Sequence, residues 1–582
     1  MMRPDAPFVL LDDARDGGAA ARLYTAPVGI VTAHHPDAVA PALDRLRRAR
    51  LDGLHAAGTI AYEAGAAFEP GVPFPATAGP LLWFGLFAGY RTITVEDMLP
   101  DPAGAWIGDL APELTEERHA AQFAAVQALI HAGDLYQVNL SFRATAPVAG
   151  DPLALYAGLR ARSRAGWGAV VATGSDMILS LSPEMFFALD DGRLTARPMK
   201  GTARRRPEPE ADARAARALR DDPKQRAENL MIVDLMRNDL SRVARPGSVA
   251  VPDLFAVEPY PTVHQMVSTV TADLAERRDA IDVLAALFPC GSITGAPKIR
   301  AMQAIAAIED SPRGLYTGAI GRLDANGDAM FNVAIRTLTW PDGEGHATLG
   351  LGSGIVADSV AADEWDECLA KGAFLAGGRG EFDLIETMAF DPVEGIQHLE
   401  AHLARMKASA AALDFTFDRH AARNELQAAT FRLREARRVR LLLARGGAIV
   451  VEVGPAPRPF DAVVPVRIMP LPVSPADLRL RHKTSARGFY DAARAAAGTA
   501  EIVFETADGS LTEGSFTNLF VPRGDRLVTP PLAQGLLPGV LRAHLIDSGQ
   551  AVEGRVTRID LRDGFLLGNA LRGLFRAEMV AD

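Results

Sequence analysis

The sequence predicts a mixed α/β protein, in the α+β sense, with two globular domains. Between residues 135 and 380, strand-like apolar runs alternate with helical segments that begin near Pro207, Pro223 and Pro297. The segment FLAGGRG at 374–380 then concentrates glycine, and a new amphipathic pattern of about 200 residues follows it. A chain of 582 residues is also too long for one hydrophobic core. We therefore expect a first domain at 1–377, a linker at 378–382 and a second domain at 383–582.

The first domain is expected to divide into an N-terminal part at 1–113 and a catalytic part at 114–375. The N-terminal part mixes short strand-like runs with a helical pattern over 36–57, and residues 91–113 are rich in loop formers. A stronger helix is predicted over 116–132, where Phe123 and Val126 share one face and Gly133 ends the helix. The predicted strands are 8–11, 29–32, 169–172, 177–181, 267–270 and 347–351.

Composition restricts the class of protein. The 61 basic and 72 acidic residues give a net charge of -11, which repels nucleic-acid phosphate, so no nucleic-acid partner is expected. Arginines and lysines in a cleft would still allow a small anionic substrate. The two cysteines, Cys290 and Cys368, and the lack of a leader pattern or of an apolar run of roughly 20 residues indicate a reducing compartment. We expect a cytoplasmic chain without a membrane partner.

Several segments of the first domain combine glycine, hydroxyl and charged residues in patterns that a purely structural element does not need. They are GDLYQVNLS (133–141), SPEMFF (182–187), RPMKGTARR (197–205), AENLMIVDLMRNDLSRV (227–243), HQMVSTV (264–270), GSITGAPKIRAM (291–302), IRT (335–337) and GLGSGIVADSVAADEWDECLAK (350–371). Together the segments resemble the chorismate-utilising enzymes, which include anthranilate synthase, isochorismate synthase and aminodeoxychorismate synthase component I. The resemblance implies an anthranilate synthase component I-like two-sheet α/β sandwich that binds chorismate.

The same resemblance implies a Mg²⁺ site formed by Glu228, Glu364 and Glu367, which would also hold a substrate carboxylate. A metal or an acid is needed because the 4-hydroxyl of chorismate is a poor leaving group. Glu364 and Glu367 lie three residues apart on a predicted helix and so share a face. Without the resemblance, a solvated helix surface would be the simpler interpretation of these residues.

Groups that bind the anionic substrate are also implied. The resemblance assigns this role to side chains and to the backbone amides of a glycine-rich segment, which can donate hydrogen bonds to carboxylates. Each of these residues would be a weak signal alone. They are Thr294, Tyr316, Arg336, Gly352, Ser353, Gly354 and Lys371.

One lysine distinguishes the branches of this family. The motif reads PMKGT at 198–202 and resembles the P-I-K-G-T of aminodeoxychorismate synthases, whereas anthranilate synthases carry alanine at the lysine position. The resemblance implies that Lys200 attacks C2 of chorismate, that the 4-hydroxyl leaves, and that ammonia then adds at C4 as the lysine departs. Isochorismate synthases also have a lysine nearby, which acts as a base on water. A surface salt bridge is the alternative for a lysine outside any site.

Other residues of the first domain have candidate roles. Glu184 is the family's candidate acid for the departing hydroxyl. His264 either assists proton movement or makes a structural hydrogen bond, and both interpretations remain open. Cys290 is expected to be a small buried hydrophobe. Because no glutamine amidotransferase motif is visible, we expect the ammonia to come from a separate glutamine amidotransferase subunit.

The second domain carries another ordered set of segments. They are FDLIETM (382–388), HLEAHLARMKASA (398–410), RHKTSARGFYDAAR (481–494), LTEGSFTNLFV (511–521) and TPPLAQGLLPGVLR (529–542). They resemble the pyridoxal-phosphate enzymes of fold type IV, the branched-chain aminotransferase and aminodeoxychorismate lyase class, which have two subdomains. Stand-alone members of this class begin with further strands before the position of FDLIETM, so the small subdomain is either trimmed here or completed by the first domain.

This second resemblance implies a pyridoxal 5'-phosphate site. Lys483 would be the lysine to which the cofactor is attached, and Glu513 would pair with its pyridine nitrogen. A helix-capping lysine and a surface arginine are the alternatives for Lys483 and Arg405. Thr387 matches the threonine proposed to assist the lyase. The remaining cofactor-binding residues are Asn518 for the ring and Arg405, Gly539 and Val540 for the phosphate.

The two resemblances predict a bifunctional enzyme of 4-aminobenzoate, hence folate, synthesis. The first domain would make 4-amino-4-deoxychorismate, and the second would split it to 4-aminobenzoate and pyruvate. This inference rests on the fusion of the two domains and is associational. The alternatives are an anthranilate or isochorismate synthase fused to an aminotransferase, or to an inactive scaffold domain. A homodimer through the second domain is expected.

Overall fold

The computed structural model describes residues 6–69, 71–72, 75–260, 263–378, 381–460 and 462–580. The chain divides into two compact units. The N-terminal unit comprises Met1–Leu99, Asp109–Ala146 and Gly158–Gly377, and the C-terminal unit comprises Pro100–Gly108, Pro147–Ala157 and Gly378–Asp582. Residues 379 and 380 of the predicted linker lie outside the described residues. In the described part of the chain, no helix has the length and apolar character needed to cross a membrane.

The helices are distributed along the whole chain. Their bounds are α1 Pro36–Leu51, α2 Glu116–His131, α3 Pro152–Ser163, α4 Pro209–Asp221, α5 Pro223–Ser241, α6 Ala280–Leu287, α7 Lys298–Ile308, α8 Ala361–Gly372, α9 Leu399–Ala412, α10 Arg419–Thr430, α11 Gly488–Ala497 and α12 Val540–Asp547.

The strands are mostly short and antiparallel. Their bounds are β1 Phe8–Asp12, β2 Ala21–Thr25, β3 Gly29–Ala33, β4 His55–Ile60, β5 Leu82–Phe87, β6 Arg91–Ile93, β7 Ala105–Ile107, β8 Ala111–Pro112, β9 Gln137–Gly150, β10 Trp167–Ala172, β11 Asp176–Ser182, β12 Met185–Asp190, β13 Arg193–Ala196, β14 Met199–Arg204, β15 Ala250–Pro259, β16 Val263–Asp273, β17 Gly295–Ala296, β18 Ala319–Leu323, β19 Ala329–Val333, β20 Thr337–Pro341, β21 His346–Ile355, β22 Leu384–Asp391, β23 Gly395–Ile396, β24 Arg437–Leu443, β25 Ile449–Pro455, β26 Val464–Pro470, β27 Glu501–Glu505, β28 Asn518–Arg523, β29 Arg526–Thr529, β30 Ala551–Glu553, β31 Phe565–Asn569 and β32 Gly573–Met579.

The N-terminal unit contains two large sheets. One has the strand order β17-β9-β21-β20-β11-β10-β1-β2-β6, and the other has the order β14-β16-β13-β12-β19-β18-β4-β5-β3. Side chains of the first sheet, such as Val9 and Val171, pack in one apolar cluster with Ala57, Trp83 and Ile320 of the second. Because the two inner faces share this core, the unit is a two-sheet sandwich with helices outside it, as the sequence predicted.

Most predicted elements of this unit are present. The helix predicted over 116–132 is α2, with the hydroxyl of Thr115 accepting a hydrogen bond from the amide of Arg118 at its start. The helix predicted over 36–57 is wrong in its last turn, because α1 ends at Leu51. Gly53 has a φ of 81° and turns the chain, and residues 55–60 form β4 between β5 and β18. Strand pairing overrides the helical pattern there, and Ala56 and Ala57 are both buried on opposite faces of the sheet.

Four elements and one turn of this unit supply many of the residues that were predicted to act on chorismate. Lys200 lies on β14 and Glu228 on α5, while Gly352 and Gly354 lie on β21. The chain leaves β21 and forms α8, which packs back on that strand and carries Glu364, Glu367 and Lys371. Glu184 stands between β11 and β12. The fold thus gathers residues that are up to 187 positions apart, from 184 to 371, around the ends of three strands.

The C-terminal unit has two sheets in two subdomains. The first is the antiparallel sheet β23-β22-β24-β25, covered by α9 and α10. The second has the order β27-β26-β32-β31-β28-β29-β30, in which β26 runs parallel to β27 and β32. Lys483 lies in the segment between β26 and α11, and its carbonyl accepts a hydrogen bond from the amide of Ile385 on β22. The two-subdomain arrangement matches the prediction.

Two segments from the N-terminal half of the chain complete the small subdomain of this unit. Strand β7 pairs with the end of β9 through Ala105 and Gly150, and both segments belong to the C-terminal unit. The side chain of Trp106 is fully buried in the cluster that contains Leu384, Met388 and Leu403. Of the two predicted possibilities, a trimmed or a completed subdomain, the structure therefore has the completed one.

We expect Trp106→Ala to destabilise the C-terminal unit by about 3–5 kcal/mol, because the change removes a buried aromatic side chain and leaves a cavity. Urea unfolding monitored by circular dichroism would measure this change. The matched control is Phe431→Ala, since Phe431 is 75% exposed and its removal should change the free energy of unfolding by no more than about 0.5 kcal/mol. Equal stability of the two variants would contradict the assignment of 100–108 to this core.

Candidate active sites

The first candidate site is a cavity of about 720 Å³ in the N-terminal unit, here called the Lys200 cavity. This volume suits a ligand of the size of chorismate. The predicted residues that line it are Glu184, Lys200, Glu228, Tyr316, Arg336, Gly352, Gly354, Glu364, Glu367 and Lys371. The structure therefore brings most of the predicted site residues of this unit together.

Lys200 is held by its neighbours in an extended but irregular strand. The side-chain amide of Asn229 donates a hydrogen bond through Nδ2 to the carbonyl of Lys200 at 3.1 Å. Gly201 follows with a φ of 105°, a conformation that favours glycine, so the strand bends directly after the lysine. A Cβ atom at Gly354 would lie 3.0 Å from Lys200 Nζ, so the glycine leaves room for the amine. Glu228 Oε2 lies 3.3 Å from the same nitrogen, and the two groups form an ion pair.

Glu184 is a buried acid on the wall of this cavity. The hydroxyl of Ser292 donates a hydrogen bond to its Oε1 at 2.8 Å. Burial raises the pKa of Glu184 to about 7, although Ser292 and the charge of Lys200 both oppose the shift. A carboxyl group with this pKa is partly protonated at neutral pH, which suits a general acid.

The three carboxylates predicted to hold Mg²⁺ line the same cavity but do not converge. Glu228 faces Lys200, and Glu367 Oε1 pairs with Lys371 Nζ at 2.7 Å. Among the described residues, no three histidine, cysteine or acidic side chains lie close enough to hold one metal ion. Oxygen donors suit Mg²⁺, so the donor type fits, whereas the present pairing with lysines does not place them around a single point. The metal site stays a prediction.

The anion-binding residues are placed by glycines and by an unusual backbone angle. A Cβ at Gly350 would overlap the ring of Tyr316, so that strand lets the tyrosine lie against it. Lys371 Nζ donates a hydrogen bond to the carbonyl of Gly352 at 2.8 Å. Arg336 adopts a φ of 50°, and burial lowers the pKa of its guanidinium. A half-buried arginine on a cavity wall is well suited to a substrate carboxylate.

The described residues that line the Lys200 cavity do not include three of the predicted ones, Thr294, Ser353 and His264. The hydroxyl of Thr294 donates a hydrogen bond to the carbonyl of Cys290, and Ser353 is fully buried. His264 Nε2 lies 2.9 Å from Asp212 Oδ1, on the face of β16 opposite to Val263 and Gln265, which do line the cavity. This arrangement favours a structural histidine. Cys290 is buried, as expected.

The second candidate site is a cavity in the C-terminal unit, here called the Lys483 cavity. It lies between the two subdomains of that unit and is lined by all the residues that were predicted to bind the cofactor or to assist catalysis there. They are Thr387, Arg405, Lys483, Glu513, Asn518, Gly539 and Val540.

Lys483 has an amine that burial makes easier to deprotonate. Desolvation, together with the charge of Arg405, lowers its pKa to about 7. The backbone of Lys483 and Thr484 runs beside β22. The carbonyl of Lys483 accepts a hydrogen bond from the amide of Ile385, and Thr484 forms a β-bridge with Leu384. Thr387 lies two residues beyond Ile385 on the same face of that strand, and both line the cavity. This amine and a hydroxyl therefore face the same space.

Glu513 occupies a second buried position in the cavity. The hydroxyl of Tyr490 donates a hydrogen bond to its Oε1 at 2.6 Å, and the amide of Leu537 donates one to its Oε2 at 3.0 Å. Burial raises the pKa of Glu513 to about 7. A cationic partner, such as a protonated pyridine ring, would favour the ionised form of this carboxyl group.

The N-terminus of α12 forms a cradle for an anion. A Cβ atom at Gly539 would lie 1.8 Å from Asn518 Oδ1, so only glycine permits this approach. Arg405 Nη1 donates a hydrogen bond to the carbonyl of Pro538 at 3.0 Å, which places the guanidinium beside the first amides of that helix. Glu386 holds the other side of the guanidinium through contacts of 2.7 and 2.8 Å. The lysine, the carboxyl group and this cradle fit pyridoxal 5'-phosphate.

Several functional neighbours could not be recognised from the sequence. Ser292 holds Glu184, Tyr490 holds Glu513, and Glu386 holds Arg405, yet no role was assigned to them in advance. All three occur inside segments that carried the resemblances, which is the only signal that the sequence offered. Arginines from β24, α11 and the turn before β32 also line the Lys483 cavity.

Fold and sites together define a chain with a chorismate-type sandwich followed by a class IV aminotransferase unit. Residues 7–377 match the family described as chorismate binding enzyme, and residues 383–579 match amino-transferase class IV. Because the first match covers more than half of the chain, the protein belongs to the chorismate binding enzyme family.

Individual relatives agree with this assignment. The chain is 48% identical over 259 residues to aminodeoxychorismate synthase component 1 of Klebsiella aerogenes, a match that covers 44% of this chain and 57% of the relative. The protein of the same name from Escherichia coli K12 is 46% identical over 263 residues, which is 45% of this chain and 58% of the relative. The chain thus spans less than two thirds of the length of these curated relatives.

A solved structure shows the same fold in the first unit. Anthranilate synthase component I from Streptococcus pneumoniae TIGR4 superposes with a TM-score of 0.54 and 26% identity, over 65% of this chain and 94% of that one. This match confirms the predicted anthranilate synthase component I-like architecture.

The pKa of Lys483 predicts a pH dependence. Because the pKa is lowered to about 7, the chain without cofactor should react with pyridoxal 5'-phosphate at a rate that is half-maximal near pH 7. Between pH 7 and the ordinary lysine pKa of about 10.4, only the unfolded chain binds this proton, so the group's contribution to stability rises with pH. Stopped-flow absorbance would measure the rate, with a lysine model peptide and Lys483→Arg as controls. A half-maximal rate near pH 10 would contradict the assignment.

Proposed function

We propose that this chain makes 4-aminobenzoate from chorismate and ammonia in two steps, the first in the Lys200 cavity and the second in the Lys483 cavity. The observation that carries the proposal is the combination of Lys200, the buried acid Glu184 and the Glu228 carboxylate on the wall of one cavity. A lysine in this position is what separates amination at C4 from the chemistry of anthranilate synthases. The relatives named aminodeoxychorismate synthase component 1 support the same branch.

The first step uses Lys200 and Glu184. Lys200, in its free-amine form, attacks C2 of chorismate. The two conjugated double bonds of the ring shift, and the 4-hydroxyl leaves as water with a proton from Glu184. Ammonia then attacks C4, both double bonds return to their original positions, and the amine of Lys200 is released. Chorismate and ammonia thus give 4-amino-4-deoxychorismate and water. A Mg²⁺ on Glu228, Glu364 and Glu367, once Glu228 releases Lys200 and Glu367 releases Lys371, would hold a substrate carboxylate.

The second step takes place in the C-terminal unit. Pyridoxal 5'-phosphate, when bound, supplies an electron-withdrawing ring, with Glu513 at its nitrogen and Arg405, Gly539 and Val540 at its phosphate. Lys483 removes the proton from C4 of the aminodeoxychorismate, and its pKa of about 7 suits a base at neutral pH. The C3–O bond then breaks, pyruvate leaves and the ring becomes aromatic. Thr387 lines the same cavity and assists this elimination.

Other parts of the proposal rest on family-level support alone. Ammonia would come from a separate glutamine amidotransferase subunit, as the words "component 1" in the names of the relatives suggest for those proteins. The homodimer through the C-terminal unit, the cytoplasmic location and the domain bounds at 1–377 and 383–582 are part of the same proposal. An anthranilate or isochorismate synthase remains the rival, and its product would be an ortho-aminated or hydroxylated compound.

Lys200→Ala should abolish formation of 4-amino-4-deoxychorismate from chorismate and ammonium, because the nucleophile is gone, while 4-aminobenzoate is still released from added aminodeoxychorismate. Lys200→Arg should be equally inactive, since the charge remains without a nucleophile. Lys407→Ala, at an exposed lysine of α9, is the control that should leave both reactions unchanged. Chromatography of the products measures the outcome. Activity of Lys200→Arg would refute covalent attack, and anthranilate as the product would refute the proposal.

Glu184→Gln should lower the rate of the first step by about 10²–10⁴-fold, because the amide cannot donate a proton to the leaving hydroxyl. The pH profile of the wild-type rate should fall above pH 7 as Glu184 ionises, and this fall should be lost in the variant. Quenched-flow assays between pH 6 and 9, at saturating ammonium with a correction for free ammonia, would measure both effects. An unchanged profile in the variant would assign the acid to another group.

A further inference from the structure

The arginines of the Lys483 cavity outnumber the carboxylates that could neutralise them. The arginines on its wall are Arg405, Arg438, Arg440, Arg487, Arg494 and Arg572, while the acidic residues on the same wall are Asp491 and Glu513. Clustered cations in a partly desolvated cavity repel one another, so such an excess is costly unless a ligand supplies negative charge.

Three of these arginines have carboxylate partners. Arg405 pairs with Glu386 at 2.7 Å, Arg494 pairs with Asp491 at 2.9 Å, and Arg440 lies 3.7 Å from Glu452. Among the described residues, Arg438, Arg487 and Arg572 have no carboxylate within ion-pair distance. Arg438 is exposed at the rim and solvated, whereas Arg487 and Arg572 are half-buried. The excess charge is therefore concentrated on two side chains.

These two guanidiniums are fixed in place by neutral contacts. Arg487 Nη2 donates a hydrogen bond to the carbonyl of Ser515, and its guanidinium lies 4.4 Å from the centroid of the Tyr490 ring. Arg572 Nη1 donates one to the carbonyl of Arg458, and its guanidinium lies 4.8 Å from the centroid of the Phe460 ring. Aromatic rings and carbonyls orient an arginine without neutralising it, so N–H donors stay available for an anion.

Glu501, the carboxylate whose charge acts on Arg572, already accepts hydrogen bonds from other donors. Glu501 accepts hydrogen bonds from the amides of Ser515 and Phe516 and from the hydroxyl of Thr517. The cofactor phosphate would not neutralise the pair either, because its cradle consists of Arg405 and the N-terminus of α12. A further anion is therefore needed in this cavity.

We propose that Arg487 and Arg572 bind the two carboxylates of a dianionic substrate and determine the specificity of the Lys483 cavity. This inference rests on the proposed function, since 4-amino-4-deoxychorismate carries one carboxylate on its ring and one on its enolpyruvyl group. Substrates with an apolar side chain are rejected, because they leave a half-buried guanidinium without a counter-ion.

Binding of stable probes to the full-length, cofactor-loaded chain tests this assignment. The dianionic probe is 3-(1-carboxyvinyloxy)benzoate and the monoanionic one is benzoate, and the visible absorption of the cofactor reports binding in this cavity alone. The wild type should bind the dianion at least about tenfold more tightly than benzoate, and Arg487→Leu and Arg572→Leu should each weaken dianion binding about tenfold or more. Equal affinity for the two probes, or wild-type affinity in both variants, would overturn the proposal.

Controls separate folding and charge from recognition. Arg523→Gln removes an exposed arginine of the same unit that pairs with Asp560, and it should leave both affinities unchanged. Arg487→Lys and Arg572→Lys should recover part of the affinity for the dianion, and each variant must retain the cofactor absorption to be compared. If the dianion binds through both arginines but no 4-aminobenzoate is released from aminodeoxychorismate, the lyase function fails and the assignment of Arg487 and Arg572 stands. If both arginine variants release 4-aminobenzoate as the wild type does, the lyase function stands and the assignment fails.

Discussion

Removal of ionisable groups from water is the constraint on which both cavities depend. Burial brings the pKa values of Glu184, Lys483 and Glu513 to about 7, although a free carboxyl group and a free amine differ by about six pH units. Glu184, an acid that can donate a proton, and Lys483, an amine that can remove one, are thereby both available at neutral pH. Neither property belongs to the residue types themselves, and both come from the packing around them.

The two cavities solve the problem of buried charge in opposite ways. In the Lys200 cavity, Lys200 and Lys371 each face a carboxylate, so the two amines are paired before a substrate arrives. Entry of a metal ion or of an anionic substrate there must exchange one set of ion pairs for another. In the Lys483 cavity, Arg487 and Arg572 have no carboxylate within ion-pair distance in the described part of the chain, so their positive charge is available to a ligand.

The fold provides the rigidity that these arrangements need. Functional side chains lie at strand ends, at helix starts and in short turns, and each is held by a neighbour that has no chemical role of its own. Asn229 fixes the backbone of Lys200, Ser292 orients Glu184, and Tyr490 orients Glu513. The C-terminal unit even depends on a distant part of the sequence, because Trp106 fills the core of its small subdomain.

The sequence alone determined the two-unit α/β organisation, the position of α2 and the motifs around Lys200 and Lys483, because periodicity and short motifs are local properties. It placed a helix across residues 52–57, where pairing with β5 and β18 makes β4, since strand pairing depends on residues far along the chain. Only the tertiary structure decided that His264 faces Asp212, that Glu228 pairs with Lys200, and that Arg487 and Arg572 have no carboxylate within ion-pair distance among the described residues. These partners lie far apart in the sequence, so their spacing does not predict the pairing.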